Sequence, residues 1–347
     1  MINQILCCPR CKKNIKKIKN FYFCPKCQKK YPIYFGIPDF RIFPDPYLTF
    51  NQEKELIGKI IKSTINLNYR DTYLETTELT NLYYQKNKVR GSSRKLHAKS
   101  LTYNTEPKER IKRRKRFLDI AYQISGKKKN LLGRALDLGC GMGGTLKTLE
   151  YFADNIIGTD ISLKNLILAQ KYAREFMKKN VQFVCASAEY LPFKDDVFSL
   201  INASDVIEHV KNQQKTLRSV KRILKENGIF YFNSINRYLI LEGHVKVFFV
   251  GFVPRKYADA YVRLVSDQGY IGKKPLSYLE LKNFMNQIFG YNKWKMLPNF
   301  SKKYSVSKPK TLLGKIYNKI PEKILLLSSN NSLVKFFQID HKIVSFK

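Results

Sequence analysis

The chain is short of acid. Asp and Glu number 27 against 64 Lys and Arg in 347 residues, a formal charge of +37. An excess of that size favours polyanions: RNA, DNA or an anionic membrane surface. The chain is also rich in Lys, Asn, Ile and Tyr, as an AT-rich genome would make it, and that bias raises Lys everywhere. The two explanations stand level, so the charge alone names no partner. Long apolar runs are missing too; none approaches the roughly 18 residues that a membrane-crossing helix needs. The opening MINQILCCPR has neither a basic head nor a long apolar region, so a secretory signal is not expected. There is no internal repeat and no low-complexity tract. With 44% apolar residues, the chain can bury a core as one large domain with appendages or as two domains. Of the 7 cysteines, four have metal-type spacing, which fits a reducing cytoplasm better than a disulfide framework.

Those four define residues 1–42. Cys8-Pro9-Arg10-Cys11 and Cys24-Pro25-Lys26-Cys27 are two C-P-x-C knuckles. Each puts two thiolates at one turn, and two such turns make a tetrahedral S₄ cage for zinc. A unit this short has too little core of its own, so the metal would supply much of its stability. Cys7 is read as a small buried apolar residue. A redox role for the knuckles is disfavoured, because there are two of them and no βαβ pattern around them.

Residues 43–130 read as a linker and helical segment. Pro44 and Pro46 mark the linker, and Glu53 to Ile65 has helical periodicity. A polar stretch from Gln85 to Lys99, with Gly91-Ser92-Ser93, reads as a loop, and Glu109 to Ile124 reads as a helix. Six of the seven residues from Arg110 to Arg116 are basic. Such a run serves phosphates or, more commonly, a solvated helix face.

Residues 131–347 follow a βα rhythm. Strands are predicted at Arg134 to Leu138, Asn155 to Thr159, Val181 to Cys185, Phe198 to Ala203 and Ile229 to Asn233. Helices are predicted at Leu163 to Lys178, capped by Ser162, and at Gln213 to Lys225, closed by Asn227-Gly228. Further on, Leu276 to Phe289 reads as a helix, and Trp294 to Pro298 and Lys342 to Phe346 as final antiparallel strands. Insertions then fall at about 236–275, rich in aromatics, and at about 299–337. Alternating strands and helices imply a parallel sheet covered on both faces, with ligands at the carboxyl ends of the strands. Four motifs fall at those ends: the turn Leu136 to Thr145 (LDLGCGMGGT), Asp160, Ser187 and Ser204-Asp205. In the turn, Asp137, Gly139, Gly141 and Gly143 alternate with other residues. Glycine lets the backbone approach a ligand, the following helix would offer unpaired N–H groups, and Asp160 suits a ribose diol.

The D-x-G-x-G-x-G turn resembles motif I of the class I S-adenosylmethionine-dependent methyltransferases. The resemblance implies a Rossmann-like α/β fold with a seven-stranded sheet, a methyl-transfer activity, and a substrate lid in residues 43–130. It assigns S-adenosyl-L-methionine contacts to Asp137, Gly139, Gly141, Gly143, Asp160 and Ser204. The loop Ala186-Ser187-Ala188-Glu189-Tyr190-Leu191-Pro192-Phe193 is similar to the family's G-D-A-x-x-L-P-F, so Ser187 and Ala188 fall at the adenine. Ser187 replaces the Asp of that motif. The knuckles, with Tyr31-Pro32-Ile33 and Gly36-Ile37-Pro38-Asp39-Phe40, resemble the zinc ribbon that activates translation-factor and tRNA methyltransferases. That implies a structural or docking zinc on Cys8, Cys11, Cys24 and Cys27.

Ser204-Asp205-Val206-Ile207-Glu208-His209-Val210 holds the candidate chemistry. If it opens a helix, Asp205, Glu208 and His209 share a face, an arrangement suited to a divalent metal or a general base. It resembles the D/E-x-x-E-H of ubiquinone-biosynthesis O-methyltransferases and of small-RNA 3′-end 2′-O-methyltransferases. The resemblance makes Asp205, Glu208 and His209 ligands to an ion such as Mg, and gives His244 the part of a second histidine. The alternatives are that His209 is a plain base or substrate contact, or that Glu208 and His209 only cap a helix and line the pocket. The N/D-P-P-Y run of amine methyltransferases is missing, and Cys140 and Cys185 read as packing residues, which disfavours cytosine C5 chemistry.

The expectation is a cytoplasmic O-methyltransferase acting on a small metabolite, sugar or lipid intermediate, with peripheral membrane contact allowed. An RNA ribose methyltransferase and a non-catalytic, RNA-binding methyltransferase-like subunit remain open.

Overall fold

The structure is a computed structural model describing residues 2–87, 108–126, 133–266, 268–297 and 340–347. Near the N-terminus, β1 (Lys16–Ile18), β2 (Phe21–Cys24), β3 (Lys29–Tyr34) and β4 (Ile37–Pro38) form an antiparallel sheet in that order. The large sheet holds β5 (Arg134–Leu138), β6 (Asn155–Asp160), β7 (Val181–Cys185), β8 (Phe198–Ser204), β9 (Leu224–Ile235), β10 (Trp294–Met296) and β11 (Asp340–Phe346). Its order is β10-β11-β9-β8-β5-β6-β7; β5 to β9 are mutually parallel, β11 runs antiparallel between β9 and β10, and β10 again shares the direction of β9. This is the seven-stranded class I methyltransferase arrangement.

Helices lie on both faces. They are α1 (Phe50–Thr64), α2 (Tyr69–Lys86), α3 (Lys108–Ser125), α4 (Leu146–Leu149), α5 (Leu163–Phe176), α6 (Gln213–Ile223), α7 (Arg255–Val265) and α8 (Tyr278–Ile288). The period of two along β9 sorts the core. Phe230 and Phe232 join a cluster with Leu217, Val220, Leu281 and Met285 of α6 and α8. Ile229 and Tyr231 join Phe117 and Leu118 of α3 and Leu166 of α5 on the other face. No described helix is long and apolar enough to cross a membrane.

The small sheet is not insulated from the large one. Tyr22, Tyr31 and Phe40 belong to the same cluster as Phe193 and Phe198. Its chain also pairs with the large sheet's surroundings: the Cys7 amide donates to the Pro192 carbonyl at 2.9 Å, and the Phe40 amide to Cys185 at 2.8 Å.

Among the elements that depart from the sequence expectation, three stand out. Helix α6 ends at Ile223, and Leu224 already pairs with Phe198 as the start of β9. Asn227-Gly228 is therefore not a helix cap. Asn227 is left-handed, with φ 64°, and this turn within β9 takes up the register shift before Ile229 meets Leu200. Burial of the Leu224 side chain in the core drives the early exit. Helix α2 was not predicted at all, because its buried stripe is Tyr69, Thr72, Tyr73, Thr76, Thr80 and Tyr83, hydroxyl-bearing residues that a search for aliphatic periodicity passes over. It also takes in Gln85 and Lys86 from the expected loop. The third, the segment after Ser204, bears on the site and is described with it. Residues 88–99 of that loop (with Gly91-Ser92-Ser93) and the second insertion lie outside the described residues.

The sequence between the two sheets is fixed by a buried ion cluster. The Arg41 guanidinium bonds Asp39 at 2.7 Å and also Glu53 of α1, and their side chains are at most 7% exposed. Arg41 Nη1 donates to the Ile161 carbonyl at 3.0 Å, and Glu53 accepts from the Leu163 amide at 2.9 Å. The cluster thus ties the small sheet and α1 to the loop after β6. Arg41→Ala leaves two carboxylates buried without their cation, and should cost about 3–5 kcal/mol of unfolding free energy. Urea unfolding at neutral pH checks this; a loss under 1 kcal/mol would remove the cluster's assigned role.

Candidate functional site

β5 ends in the glycine turn and β6 ends at Asp160, one strand away. Asp160 Oδ2 accepts from the Gly141 amide at 2.9 Å and Oδ1 from the Ser162 amide at 2.8 Å. Burial is the largest influence on this carboxyl and pushes it up to about 6. The three glycines play different parts. A Cβ on Gly141 would meet nothing within 4 Å, so its face borders open space. A Cβ on Gly139 would lie 2.4 Å from Val206 Cγ2, and one on Gly143 would lie 3.0 Å from Tyr172 Cδ1. Gly141 therefore lines the cradle, while Gly139 and Gly143 let the turn pack against its neighbours.

Asp137 is buried. Its Oδ1 accepts from Asn202 Nδ2 at 2.6 Å and its Oδ2 from the Thr145 hydroxyl. Both oxygens thus hold the turn to β8 and to its own far end. The helix behind the turn is shorter than expected, only Leu146–Leu149. Two of its first amides are engaged, Leu146 to Gly143 at 3.1 Å and Thr148 to Thr145 at 3.0 Å, which shortens the row of N–H groups it can offer. Asn202 escaped the sequence reading, though a carboxamide amid the apolar residues of β8 was its signal. Ser204 Oγ donates to Asn202 Oδ1 at 3.2 Å.

Ser187 sits beyond the end of β7, fully buried, and its Oγ accepts from the Ile42 amide at 3.3 Å. Ala188 opens a short 3₁₀ turn to Tyr190. Tyr190 faces Phe43 with centroids 6.4 Å apart. Lys211 Nζ lies 3.8 Å from the Phe43 centroid and Lys215 Nζ 3.6 Å from that of Tyr190, cations held over ring faces.

The stretch after β8 does not open a helix. Asp205 is left-handed, with φ 58°. Its amide donates to the Asn233 carbonyl at 3.1 Å, and its carboxylate accepts from Asn233 Nδ2. A turn follows, closed by the His209 amide on Val206 at 2.9 Å. Its consequence is a regrouping of the candidate residues. Glu208, His209 and His244 bring ligand atoms within 4.8 Å of one another, without Asp205. The two imidazole centroids are 4.9 Å apart. Both Glu208 oxygens are buried outside good hydrogen-bond geometry, with the Ser234 hydroxyl and its own amide as the nearest donors. Burial first, and then the Asp205 charge, push the Glu208 carboxyl up to about 7. His244 is held by Glu242, a residue the sequence reading passed over although it stands two positions away: Glu242 Oε1 meets His244 Nδ1 at 2.7 Å.

Cys8, Cys11, Cys24 and Cys27 also cluster within 4.8 Å. The Cys8–Cys27 and Cys11–Cys24 sulfurs are 3.9 and 3.6 Å apart. A zinc tetrahedron with bonds of about 2.3 Å has edges of about 3.8 Å, so the four residues fit that ion. Cys7, Cys140 and Cys185 are buried elsewhere.

Residues 136–232 match the family described as a methyltransferase domain. The chain is 30% identical over 164 residues to the uncharacterized methyltransferase YcgJ of Bacillus subtilis, covering 46% of this chain and 63% of that protein. It is 29% identical over 126 residues to a ubiquinone biosynthesis O-methyltransferase of Glaesserella parasuis, covering 35% and 52%. The chain thus spans less than two thirds of either relative. Among solved structures, the complex between the Haloferax volcanii Trm112 methyltransferase activator and the putative methyltransferase aligns at 15% identity and TM-score 0.42, covering 71% of this chain and 96% of that one.

The close approach at Gly139 is open to a direct test. Gly139 has φ +69°, and Gly139→Ala adds left-handed strain to a clash with Val206. The substitution should cost about 2–4 kcal/mol in thermal or urea unfolding, whereas Gly141→Ala, strained but unobstructed, should cost about half as much.

Proposed function

We propose that the chain is an S-adenosylmethionine-dependent methyltransferase acting on an oxygen nucleophile of a small metabolite, sugar or lipid intermediate. One observation carries the reading: the Gly141–Asp160 cradle and the Glu208–His209–His244 cluster lie at the carboxyl ends of adjacent parallel strands, where such sheets bind ligands. The matched domain and the name of the Glaesserella relative support the chemistry.

In this reading Asp160 takes the ribose diol, and Gly141 admits the donor's backbone-facing side. Asp137, Gly139, Gly143 and Ser204 shape the turn around the methionine end. Ser187 and Ala188 stand at the adenine, with the Phe43 and Tyr190 rings beside them. Glu208, His209 and His244 fit a divalent ion, because their ligand atoms converge, a buried and weakly satisfied carboxylate favours a cation, and two imidazoles complete a donor set. Such an ion supplies Lewis acidity that makes an acceptor hydroxyl more anionic. Where no ion is held, His209, the exposed member of the group, would instead act as a plain base and take the acceptor's proton. The four N-terminal cysteines hold a structural zinc in a ribbon of residues 1–42, residues 43–130 serve as linker and helical lid, and residues 131–347 form the catalytic domain.

An RNA acceptor is the second reading. It is favoured by Lys211 and Lys215, positioned over rings at the site where a phosphate chain with stacked bases would run.

The deciding experiment is transfer of labelled methyl from S-adenosylmethionine into total RNA, set against a lipid and metabolite extract, with and without Mg²⁺ or Mn²⁺. Label in the extract, lost in His209→Ala, is the expected outcome. Label confined to RNA would replace the acceptor class, and donor binding without any transfer would favour a non-catalytic subunit.

Donor binding should also depend on pH. An ionised Asp160 accepts two ribose hydroxyls, whereas a protonated one gives up an acceptor site. With its carboxyl near 6, donor affinity should fall as pH drops from 7 to 5. Asp160→Asn should weaken binding at pH 8 by about tenfold or more and flatten the profile. Calorimetric titration of S-adenosylmethionine between pH 5 and 8 reads both; a wild-type profile that stays level would take Asp160 out of the ribose contact.

A further inference from the structure

The insertion after β9 has its own small core of Val245, Val247, Val250, Ala258, Val262 and Tyr270. It rejoins the large sheet's surroundings at its root. Asn236 bridges Leu276, the Arg237 amide donates to the Leu276 carbonyl at 3.0 Å, and the Lys274 amide donates to the Glu208 carbonyl at 2.7 Å. Away from that root, His244 is the insertion's residue in the cluster with Glu208 and His209.

His244 is not left to find its own orientation. Glu242 is 1% exposed. Its Oε2 accepts from the amides of His244 at 2.6 Å and Val245 at 2.8 Å, while its Oε1 meets His244 Nδ1 at 2.7 Å. The Tyr270 hydroxyl donates to the same Oε1 at 3.4 Å. A carboxylate bonded to Nδ1 of a histidine leaves Nε2 as the nitrogen for a ligand bond and sets the ring's direction. On the other side, Glu208 presents two buried oxygens outside good hydrogen-bond geometry, eased only by the Ser234 hydroxyl and its own amide, and a buried carboxylate so weakly satisfied favours a cation.

We propose that Glu242 is the positioning residue of this cation site, and that a divalent transition ion bound by Glu208, His209 and His244 clasps the insertion to the turn after β8. The proposal rests on the cation reading above and not on the methyl donor. The class of ion follows from the donors. Asp205, the second carboxylate expected from sequence, is bonded to Asn233 instead. What remains is two imidazoles and one carboxylate, which suits Mn²⁺, Fe²⁺, Co²⁺ or Zn²⁺; Mg²⁺ prefers oxygen donors and sheds its water reluctantly.

The full chain, with its N-terminal zinc retained, would be titrated with Mn²⁺ and with Mg²⁺ by calorimetry and Mn²⁺ electron paramagnetic resonance. Amide hydrogen exchange across residues 240–250 would be followed in the same samples. Expected are one Mn²⁺ site, weaker binding of Mg²⁺, and slower exchange in 240–250 when Mn²⁺ is present. Glu242→Gln should weaken Mn²⁺ binding about 10- to 100-fold, and His244→Ala should abolish the added protection. His244 is only partly buried, so its variant carries the test if Glu242→Gln does not fold. Wild-type Mn²⁺ affinity in Glu242→Gln, exchange in 240–250 indifferent to Mn²⁺, or tighter binding of Mg²⁺ than of Mn²⁺ would each overturn the proposal. S-adenosylmethionine binding, measured alongside, separates the two readings: its absence from the wild type would sink the methyltransferase reading and leave the clasp standing.

Discussion

A carboxylate buried where a parallel sheet changes direction has to be fully hydrogen bonded, and the way Asp137 meets that requirement shapes the site. β5 is the strand from which the chain builds outward both ways, through β6 and β7 on one side and β8 and β9 on the other. Asp137 takes one bond from Asn202 on β8 and one from Thr145 at the far end of the glycine turn. The Thr159 hydroxyl meets its backbone carbonyl from β6 at 3.5 Å. One acid thereby couples the strands on either side of β5 to the turn between them. An unpaired carboxylate in this position would cost several kcal/mol, so the side chains that satisfy it are held as closely as it is. The crevice at these strand ends has fixed walls as a result.

The parts of the fold that follow a simple period were legible in the sequence. Strands β5 and β7 fall at their predicted bounds, and β6 and β8 run one residue further, because alternation and apolar runs mark them. What escaped was decided by tertiary contact. Leu224 enters β9 because the core has room for it, against the local signal of Asn227-Gly228. Helix α2 is amphipathic through tyrosine and threonine. At the site, the glycine turn and Asp160 were legible as a unit, and so was the pairing of His244 with a motif some 35 residues earlier in sequence. The helical face expected for Asp205, Glu208 and His209 did not form, because Asp205 bonds both ways to Asn233 and bends left-handed. A residue's partner across the sheet is invisible to spacing rules, and here that partner decides which carboxylate remains with the histidines.

The insertion shows how a loop gains precision without a large core. Its chain crosses itself tightly: a Cβ on Gly251 would lie 1.6 Å from the Arg237 carbonyl oxygen, so only glycine admits the crossing. Asp259 accepts from the Tyr270 amide at 2.6 Å and pairs with Arg263 at 2.7 Å. Tyr270 then reaches Glu242, and Glu242 holds His244. All links but that from Tyr270 to Glu242 are short in sequence, which limits the entropy lost in forming them, and the series runs from the insertion's far helix to the cluster. Several apolar side chains remain at its surface, with Phe248, Phe249 and Phe252 about half exposed.

The large positive charge looks different once the partners of individual lysines are known. With so few acids available, many ammonium groups bond carbonyl oxygens, some of them beside a carboxylate. Lys171 donates to the Leu67 carbonyl at 2.6 Å as well as to Thr64 and Ile65 at the end of α1. Lys221 donates to Ile288 at the end of α8 at 2.6 Å, and Lys147 to Phe176 at the end of α5 at 2.7 Å. Cations at helix C-termini satisfy orphan carbonyls and complement the helix dipole. Lys12 joins the small sheet to Leu191, and Arg222 reaches Leu191 and Phe193 from α6. Desolvation holds Lys12 down to about 8, as expected of a cation recruited into an interface rather than left to attract a polyanion. A share of the basic excess is therefore structural. Any electrostatic case for a polyanionic acceptor narrows to cations beside the crevice, with Lys211 and Lys215 foremost, because those lysines are held over rings and not against carbonyls.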